Sequence, residues 1–353
     1  MNPHILLRCS TAALAMLLVP AAAFAQAPAS FALGSVSAAP GTMASGALDV
    51  PARGGDRGTT IPFTVINGTA RGPVLALIAG THGMEYVPIV ALQRLRTAID
   101  PRSLTGTIVM IHIANMPSFL GRTIYYSPVD GHNLNRVFPG KPDGTLSERI
   151  AHVITSDVIA RATHVVDLHC GDGNEALRPY TYWVTTGDPQ VAAAGKAMAL
   201  AFGLDHIVVD RERPTDPAVS AYLSNTAITR GKPGLTTETG ALGRVDEEHI
   251  ALVERGVAGL LRHLEMKPDG PPPVAAPVLI DRNEVLRAPV TGLFFAEVKE
   301  GRTVAKGTRL GRIVDFHGRL LREIVAPFDG EMLYVVGTPP VSEGEPLGMI
   351  GAR

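Results

Sequence analysis

The chain has 353 residues, of which 46% are hydrophobic and 18% are charged, and its formal net charge is -1. That length fits one large domain with a smaller one, and the apolar content predicts a folded globular protein. The sequence lacks the runs of lysine and arginine that hold phosphate backbones, so nucleic acid is not an expected partner. We expect a small molecule or a short peptide instead.

The first 25 residues have the pattern of an export signal. A positive Arg8 precedes the apolar run 11–20, and Ala23 and Ala25 are the small residues that signal peptidase reads. The run is shorter than the roughly 20 residues that a membrane-spanning helix needs. We therefore predict a cleaved signal peptide over 1–25, a periplasmic or secreted protein, and no stable membrane insertion.

Residues 26–55 are rich in Ala, Gly, Ser and Pro, which predicts a mobile leader. Beyond them, apolar runs typical of strands buried on both faces alternate with segments of helical periodicity. This alternation predicts an α/β domain over 56–266 with a mixed, mostly parallel sheet. The predicted strands include 75–79, 108–113, 165–168 and 235–238, and the predicted helices include 87–96, 145–162, 192–202 and 247–264.

The pattern changes after residue 266. Residues 267–280, which begin KPDGPPPVAAP, are predicted to be a Pro-rich linker, and the glycine-punctuated segments of 281–353 predict a small all-β domain. The half-repeats RAPVTG and VAPFDG resemble the biotinyl/lipoyl-type barrel-sandwich fold. A carrier domain needs a lysine in the hairpin at 313–323, which has none, so covalent biotin or lipoate is not expected. We expect a lid or an oligomer contact, and the oligomeric state stays open.

The sequence GTHGME follows the first buried strand and carries a metal-ligand pattern. His82 and Glu85 lie three residues apart on a strand-to-helix turn, and His169 follows another buried strand. Ligands of such sheets sit at the carboxyl ends of the strands. Two histidines and one glutamate form a catalytic zinc set with a fourth position for water. We predict one Zn²⁺ per chain, although cobalt or manganese also suits these ligands.

Four further residues fit the chemistry of such a centre. Glu238, at the end of a third strand, suits a general base and acid that passes a proton from water to a leaving amine. Asn135 and Arg136 suit capture of a substrate carboxylate, and Arg122 suits stabilisation of an oxyanion. Taken singly, Glu238 is more often an ordinary strand-end carboxylate, and a lone arginine more often forms a surface ion pair.

Together these segments resemble the succinylglutamate desuccinylase/aspartoacylase family, relatives of the zinc carboxypeptidases. The family patterns Gly-x-His-Gly-x-Glu, Asn-Arg with a following Phe, Asp-Leu-His and Glu-x-Gly match 80–85, 135–138, 167–169 and 238–240, and the resemblance covers about residues 60–265. It implies a zinc carboxypeptidase-like α/β/α core. It also implies His82, Glu85 and His169 on zinc, Glu238 as base and acid, Arg122 at the oxyanion, and Asn135 with Arg136 on a substrate carboxylate.

The sequence departs from the family at two places. Met84 stands where many relatives carry Asp or Asn, and Asn133 lies in a segment where Asp is frequent. These departures leave the acyl-group specificity open.

Three functions are compatible with these features. The leading hypothesis is a deacylase that hydrolyses N-acyl amino acids, and the alternative is a zinc carboxypeptidase that trims short peptides. Both need the same metal and the same arginine, so the sequence barely separates them. A non-catalytic exported adaptor is a third hypothesis, but it predicts long heptad-bearing helices between the half-barrels, and the sequence has none there.

Overall fold

The computed structural model describes Met1 and residues 29–353, so the predicted signal peptide, apart from Met1, lies outside the described residues. Among the described residues, no helix combines the length and the hydropathy that crossing a membrane requires. The strands are β1 (Phe31–Leu33), β2 (Val36–Ala38), β3 (Thr42–Val50), β4 (Thr59–Asn67), β5 (Ala70–Ala79), β6 (Thr105–Ile111), β7 (His164–His169), β8 (Glu175–Leu177), β9 (Tyr180–Val184), β10 (His206–Asp210), β11 (Gly234–Glu238), β12 (Val278–Ile280), β13 (Arg282–Arg287), β14 (Gly292–Ala296), β15 (Thr303–Val304), β16 (Arg309–Val314), β17 (Leu320–Val325), β18 (Gly330–Val336), β19 (Pro340–Val341) and β20 (Pro346–Ala352). The α-helices are α1 (Tyr86–Ala98), α2 (Met116–Gly121), α3 (Leu146–Val153), α4 (Pro189–Phe202), α5 (Leu223–Ile228) and α6 (Glu247–His263).

A nine-stranded sheet in the order β12-β10-β9-β11-β7-β5-β6-β4-β3 forms the centre of the molecule. The strands β6, β5, β7 and β11 run parallel, whereas β3 and β4 pair antiparallel at one edge and β9 runs antiparallel to β11. This confirms the predicted mixed, mostly parallel sheet. The parallel order brings the carboxyl ends of β5, β7 and β11 to one edge.

Helices cover both faces of this sheet. Helices α1, α4 and α6 bury one face, and α3 and α5 bury the other. The residues of β5 from Leu75 to Ala79 are fully buried, which explains why this strand reads as a continuous apolar run. The predicted capping box is present, because the Thr145 hydroxyl accepts from the Glu148 amide and the Glu148 carboxylate accepts from the Thr145 amide.

The prediction of a mobile leader over 26–55 is wrong for the residues that the structure describes. Strand β3 pairs along its whole length with β4 and closes the edge of the nine-stranded sheet, and β1 pairs with β2 beside it. Leu33, Leu48 and Val50 are buried against the same core as α3. A few well-spaced apolar side chains are enough to hold a segment whose composition is otherwise small and polar.

The C-terminal β unit (residues 281–353) consists of a four-stranded sheet, β17-β16-β14-β19, packed on a second sheet, β13-β20-β18-β15. Two strand pairings attach it to the rest of the chain, one made by the unit itself and one made by β12, which lies directly before the unit. Strand β8 pairs antiparallel with β18, and β12, inside the segment predicted to be a linker, pairs parallel with β10 in the large sheet. A small apolar cluster that includes Tyr180, Ile280 and Tyr334 fills the junction.

Candidate active site

The turn between β5 and α1 carries the first two candidate ligands. Gly80 occupies the left-handed region at φ 70°, and a Cβ on Gly83 would lie 2.3 Å from the carbonyl oxygen of Ser118, so both positions require glycine. Glu85 is the residue that precedes α1, but its side chain makes no capping hydrogen bond. Its carboxylate instead faces two imidazoles, at a helix N-terminus that favours negative charge.

The three predicted ligands converge. The Nδ1 atom of His82 lies 2.7 Å from Oε1 of Glu85, and the Nδ1 atom of His169 lies 2.9 Å from Oε2. One ligand atom from each side chain lies within 4.8 Å of the others, and all three side chains are buried. Glu85 Oε2 is buried and, among the described residues, its close neighbour is the imidazole of His169. A buried carboxylate between two imidazole nitrogens fits a divalent metal ion of the zinc type.

The other ring nitrogen of each imidazole, Nε2, also lies beside a polar side chain. His82 Nε2 lies 3.1 Å from Oδ1 of Asn133, and His169 Nε2 lies 2.9 Å from Oδ1 of Asp167. Contacts of this kind fix the tautomer and the ring orientation, so that Nδ1 of each ring faces the ion position. Asn133 provides the oxygen for His82.

The electrostatics of the three side chains are coupled. Burial acts to raise the pKa of Glu85, but the neighbouring His169 and His82 lower it to about 2. Burial acts to lower the pKa of both histidines, yet Asp167 and Glu85 raise that of His169 well above its ordinary value, and Glu85 raises that of His82. The negative charge of Glu85 thus favours positive charge at this position, which a divalent cation bound to the three side chains would supply.

Glu238 lies beside this cluster. It ends β11, where it is in register with His169 on β7 and with Tyr180 on β9. Burial raises the pKa of the Glu238 carboxyl well above its ordinary value, and Glu85 and Glu175 raise it further, whereas His169 lowers it. A carboxyl group with a raised pKa, close to a candidate metal position, is suited to accept and return a proton near neutral pH.

The cluster opens into a cavity of about 530 Å³. Arg136 lies on its wall, with its guanidinium 4.6 Å from the ring centre of Tyr222, and Arg213 stacks on the same ring at 3.6 Å. Arg213 is paired with Asp210, whereas the described residues offer Arg136 no carboxylate partner. Arg136 is therefore free to bind a carboxylate that enters the cavity.

Two predicted site residues have different surroundings from those expected. Asn135 lines the cavity, but its amide donates to Asp167 Oδ2 at 3.1 Å and its Oδ1 accepts from the Leu223 amide at 2.8 Å, so both ends of the amide are engaged within the protein. Arg122 is not brought to the site. It caps the end of α2 with a left-handed backbone, φ 52°, and its exposed side chain is not part of the cavity wall.

The cavity also contains residues that the sequence analysis missed. Tyrosines from four parts of the chain line it, and so does Glu175 on β8. The C-terminal β unit forms one wall of the cavity. No local motif marks these positions, although Glu175 follows the His169 motif by only six residues. The missed lining residues are Tyr125, Tyr126, Tyr180, Tyr182, Arg213, Tyr222, Val285, Arg287, Tyr334, Pro346 and Met349.

Comparison with protein families and curated proteins gives a consistent picture. Residues 71–264 match the model of the succinylglutamate desuccinylase/aspartoacylase catalytic domain. The chain is also 31% identical over 276 residues to the N-alpha-acetyl-L-2,4-diaminobutyric acid deacetylase of Halomonas elongata. That alignment covers 76% of this chain and 77% of the relative.

Solved structures extend the similarity to the C-terminal β unit. A succinylglutamate desuccinylase/aspartoacylase from Rhodobacter sphaeroides superposes with a TM-score of 0.76 at 29% identity, covering 88% of this chain and 96% of the other. The product-bound ectoine utilization protein EutE from Ruegeria pomeroyi superposes with a TM-score of 0.78 at 26% identity, covering 88% and 95%.

Proposed function

Because the chain belongs to the succinylglutamate desuccinylase/aspartoacylase family and is an amide-bond hydrolase, we propose that it is a zinc-dependent deacylase of N-acyl amino acids. The observation that carries this proposal is the convergence of His82, Glu85 and His169 in the wall of a cavity that is also lined by Glu238 and by Arg136, to which the described residues offer no carboxylate. These side chains supply metal ligands, a proton carrier and a carboxylate receptor in one place.

Each residue has a definite task in this proposal. A zinc ion held by the three ligands supplies Lewis acidity and makes water acidic enough to act as a nucleophile near pH 7. Glu238 takes the proton of the attacking water and returns it to the nitrogen of the leaving amine. Arg136 binds the α-carboxylate of the substrate and thereby fixes the distance from the carboxylate to the scissile amide. Asn135, with Asp167, holds the His169 ring.

Arg122 has no role in this proposal, since its exposed side chain is not part of the cavity wall.

The acyl group is proposed from the relatives. The name of the Halomonas relative makes acetyl the first acyl group to test, with succinyl as the second choice from the family description. A zinc carboxypeptidase would use the same residues, so short peptides with a free carboxyl end belong in the same experiment.

The test is a substrate panel with the zinc-loaded protein. N-acetyl, N-succinyl and N-formyl amino acids are compared with dipeptides at equal concentration, and release of the free amine is measured. We expect turnover of acyl amino acids and little of dipeptides. Cleavage of dipeptides alone would move the assignment to a carboxypeptidase, and no turnover of any compound would contradict an amide hydrolase of either kind.

We also propose that the protein is exported. The support is the sequence of residues 1–25, with its positive charge, short apolar run and Ala-x-Ala site. N-terminal sequencing of the mature protein from a bacterial host should give an N-terminus close to Gln26, in the periplasm or the medium. A full-length chain recovered from the cytoplasm would contradict export.

A further inference from the structure

Glu175 is a carboxyl group in the cavity that the proposed mechanism does not use. It lies on β8 and forms part of the cavity wall. Its Oε2 accepts from the Asp172 amide at 3.3 Å, and Tyr125 lies beside it. The described residues offer it no arginine, lysine or histidine as an ion-pair partner. Burial raises the pKa of Glu175 to about 7, as expected for a carboxyl group that has lost water and gained no cation.

The cations of the cavity lie elsewhere. Arg136 and Arg213 both stack on Tyr222, and Arg213 is paired with Asp210. Arg287, at the exposed rim, donates to the carbonyl oxygen of Gly344. The two arginines on Tyr222 therefore attract negative charge, whereas Glu175, which neither of them contacts in the described structure, attracts positive charge.

The side chains near Glu175 also suit a positive group. Tyr125 and Tyr334 both lie close enough for the Glu175 charge to raise their pKa values, and both line the cavity. Tyrosine faces attract ammonium groups, and a carboxylate beside them strengthens the attraction. An ammonium group would provide the ion-pair partner that Glu175 lacks.

We propose that Glu175 binds a positively charged amino group on the side chain of the substrate, so that the enzyme selects N-acyl derivatives of diamino acids. The proposal rests on the proposed function, because Arg136 must hold the α-carboxylate while the side chain extends toward Glu175. The two ends of such a substrate carry opposite charges, and Arg136 and Glu175 offer the cavity one group of each opposite sign.

The test compares two substrates of equal shape. Nα-acetyl-2,4-diaminobutyrate and Nα-acetylnorvaline differ in the last side-chain group, which is an ammonium in one and a methyl in the other. We expect the zinc-loaded wild-type enzyme to have a kcat/KM at least tenfold higher for the diamino compound. We expect Glu175→Gln, which keeps the shape of the side chain and removes its charge, to lower that ratio at least tenfold. Glu284→Gln makes the same change on an exposed residue of β13 outside the cavity and should keep the ratio.

The outcomes separate this proposal from the proposed function. If the wild-type enzyme hydrolyses neither compound nor any other acyl amino acid, the proposed function fails. If it hydrolyses Nα-acetylnorvaline as fast as the diamino compound, the function stands and the role of Glu175 is wrong, whether or not the variant folds. An unchanged ratio in Glu175→Gln would also overturn that role. A preference for Nα-acetylaspartate would overturn it as well and would point to Arg287 as the receptor of a second carboxylate.

Discussion

At the residue scale, the site depends on which nitrogen each histidine presents. Asn133 and Asp167 hold the Nε2 atoms of His82 and His169, so both rings direct Nδ1 toward Glu85. Outer contacts of this kind normally contribute about 10–100-fold to metal affinity. The geometry that matters for metal binding therefore extends beyond the three ligands.

Glu238→Gln tests the proton carrier directly. We expect kcat to fall at least a hundredfold while the zinc content stays near one ion per chain, because a positioned general base contributes about 10²–10⁴-fold. Steady-state kinetics and elemental analysis of the same sample measure both quantities. Glu284→Gln is the matched control and should keep full activity. A Glu238→Gln enzyme with near-parental kcat would show that another group moves the proton.

The sequence predicted part of this site well. His82, Glu85 and His169 each follow a buried strand, and parallel strands place their ends together, so the convergence could be inferred from order and spacing. Arg122 was expected at the site from its chemistry and from the resemblance, but its exposed side chain after α2 is not part of the cavity wall. Tyr334 could not be inferred either, because its position depends on how the C-terminal β unit packs against β8.

At the element scale, single polar side chains hold the ends of helices. The Lys232 ammonium donates to the carbonyl oxygens of Ile159, Ala160 and Ala162 at 2.7, 2.7 and 2.8 Å. These carbonyls lie at the end of the π-helical turn that continues α3 and just beyond it, and that of Ile159 also accepts from the Ala162 amide. A cation at the negative end of a helix is a favourable arrangement.

Lys232→Met should lower the free energy of unfolding by ~1–3 kcal/mol, because it keeps the apolar stem but removes the charged donor that the three carbonyls share. Urea denaturation measures the change. Lys299→Met, on an exposed residue without side-chain hydrogen bonds in the described structure, should change stability by less than about 0.5 kcal/mol. Equal effects of the two substitutions would contradict the capping role.

Helix α3 is tied to the segment between β3 and β4 by an ion pair that responds to pH. Both carboxylate oxygens of Asp56 accept from Arg149, at 2.9 and 2.8 Å, and Arg149 is buried. Hydrogen bonds from Arg149 and from the Gly58 amide lower the pKa of Asp56 below its ordinary value of 3.8. The carboxylate therefore stabilises the folded state at neutral pH, and this contribution is lost as the pH falls through the lowered pKa.

Asp56→Asn should consequently be less stable than the parent at pH 7, and the difference should shrink below about pH 4, where the parent carboxylate becomes protonated. Thermal unfolding between pH 7 and pH 2.5 measures this difference. Asp143→Asn changes an exposed residue, so its stability should differ little from that of the parent, and the difference should not depend on pH. A difference for Asp56→Asn that does not change with pH would show that the charge is unimportant.

The parts of the fold that the sequence predicts are the strands whose burial on both faces produces a continuous apolar run. The apolar runs of β5, β6, β7 and β11 are buried on both faces, and their alternation with helices gave the sheet. Strand β3 was missed because only its last residues are buried, so its sequence resembles a polar leader. Strand β12 was missed because three residues after a Pro-rich segment are too few to show a period.

At the scale of the whole molecule, the C-terminal β unit is part of the active-site wall. The pairing of β8 with β18 and of β12 with β10 fixes it in place, and Arg178 reinforces the junction by binding Asp205 and, across the interface, Glu331. His206 also contacts Glu331, at 3.2 Å. The junction therefore determines where Tyr334 and Met349 sit in the cavity.

Arg178→Ala should loosen this junction. We expect faster hydrogen exchange in β18 and β20 and a several-fold lower kcat/KM, because a half-buried Glu331 loses its main partner and the cavity wall becomes less fixed. Hydrogen-exchange mass spectrometry and kinetics measure the two effects. Arg319→Ala removes an exposed pair with Asp315 and should leave both nearly unchanged. Unchanged exchange in Arg178→Ala would mean that the strand pairings alone hold the unit.

The central claim is that His82, Glu85 and His169 hold one catalytic zinc ion, and removal of the metal tests it most directly. The purified protein is stripped with a chelator, dialysed, and titrated with zinc while N-acyl amino acid hydrolysis is followed. We predict loss of activity on stripping and recovery that is complete at about one zinc per chain. Full activity in the verified metal-free protein would contradict the account.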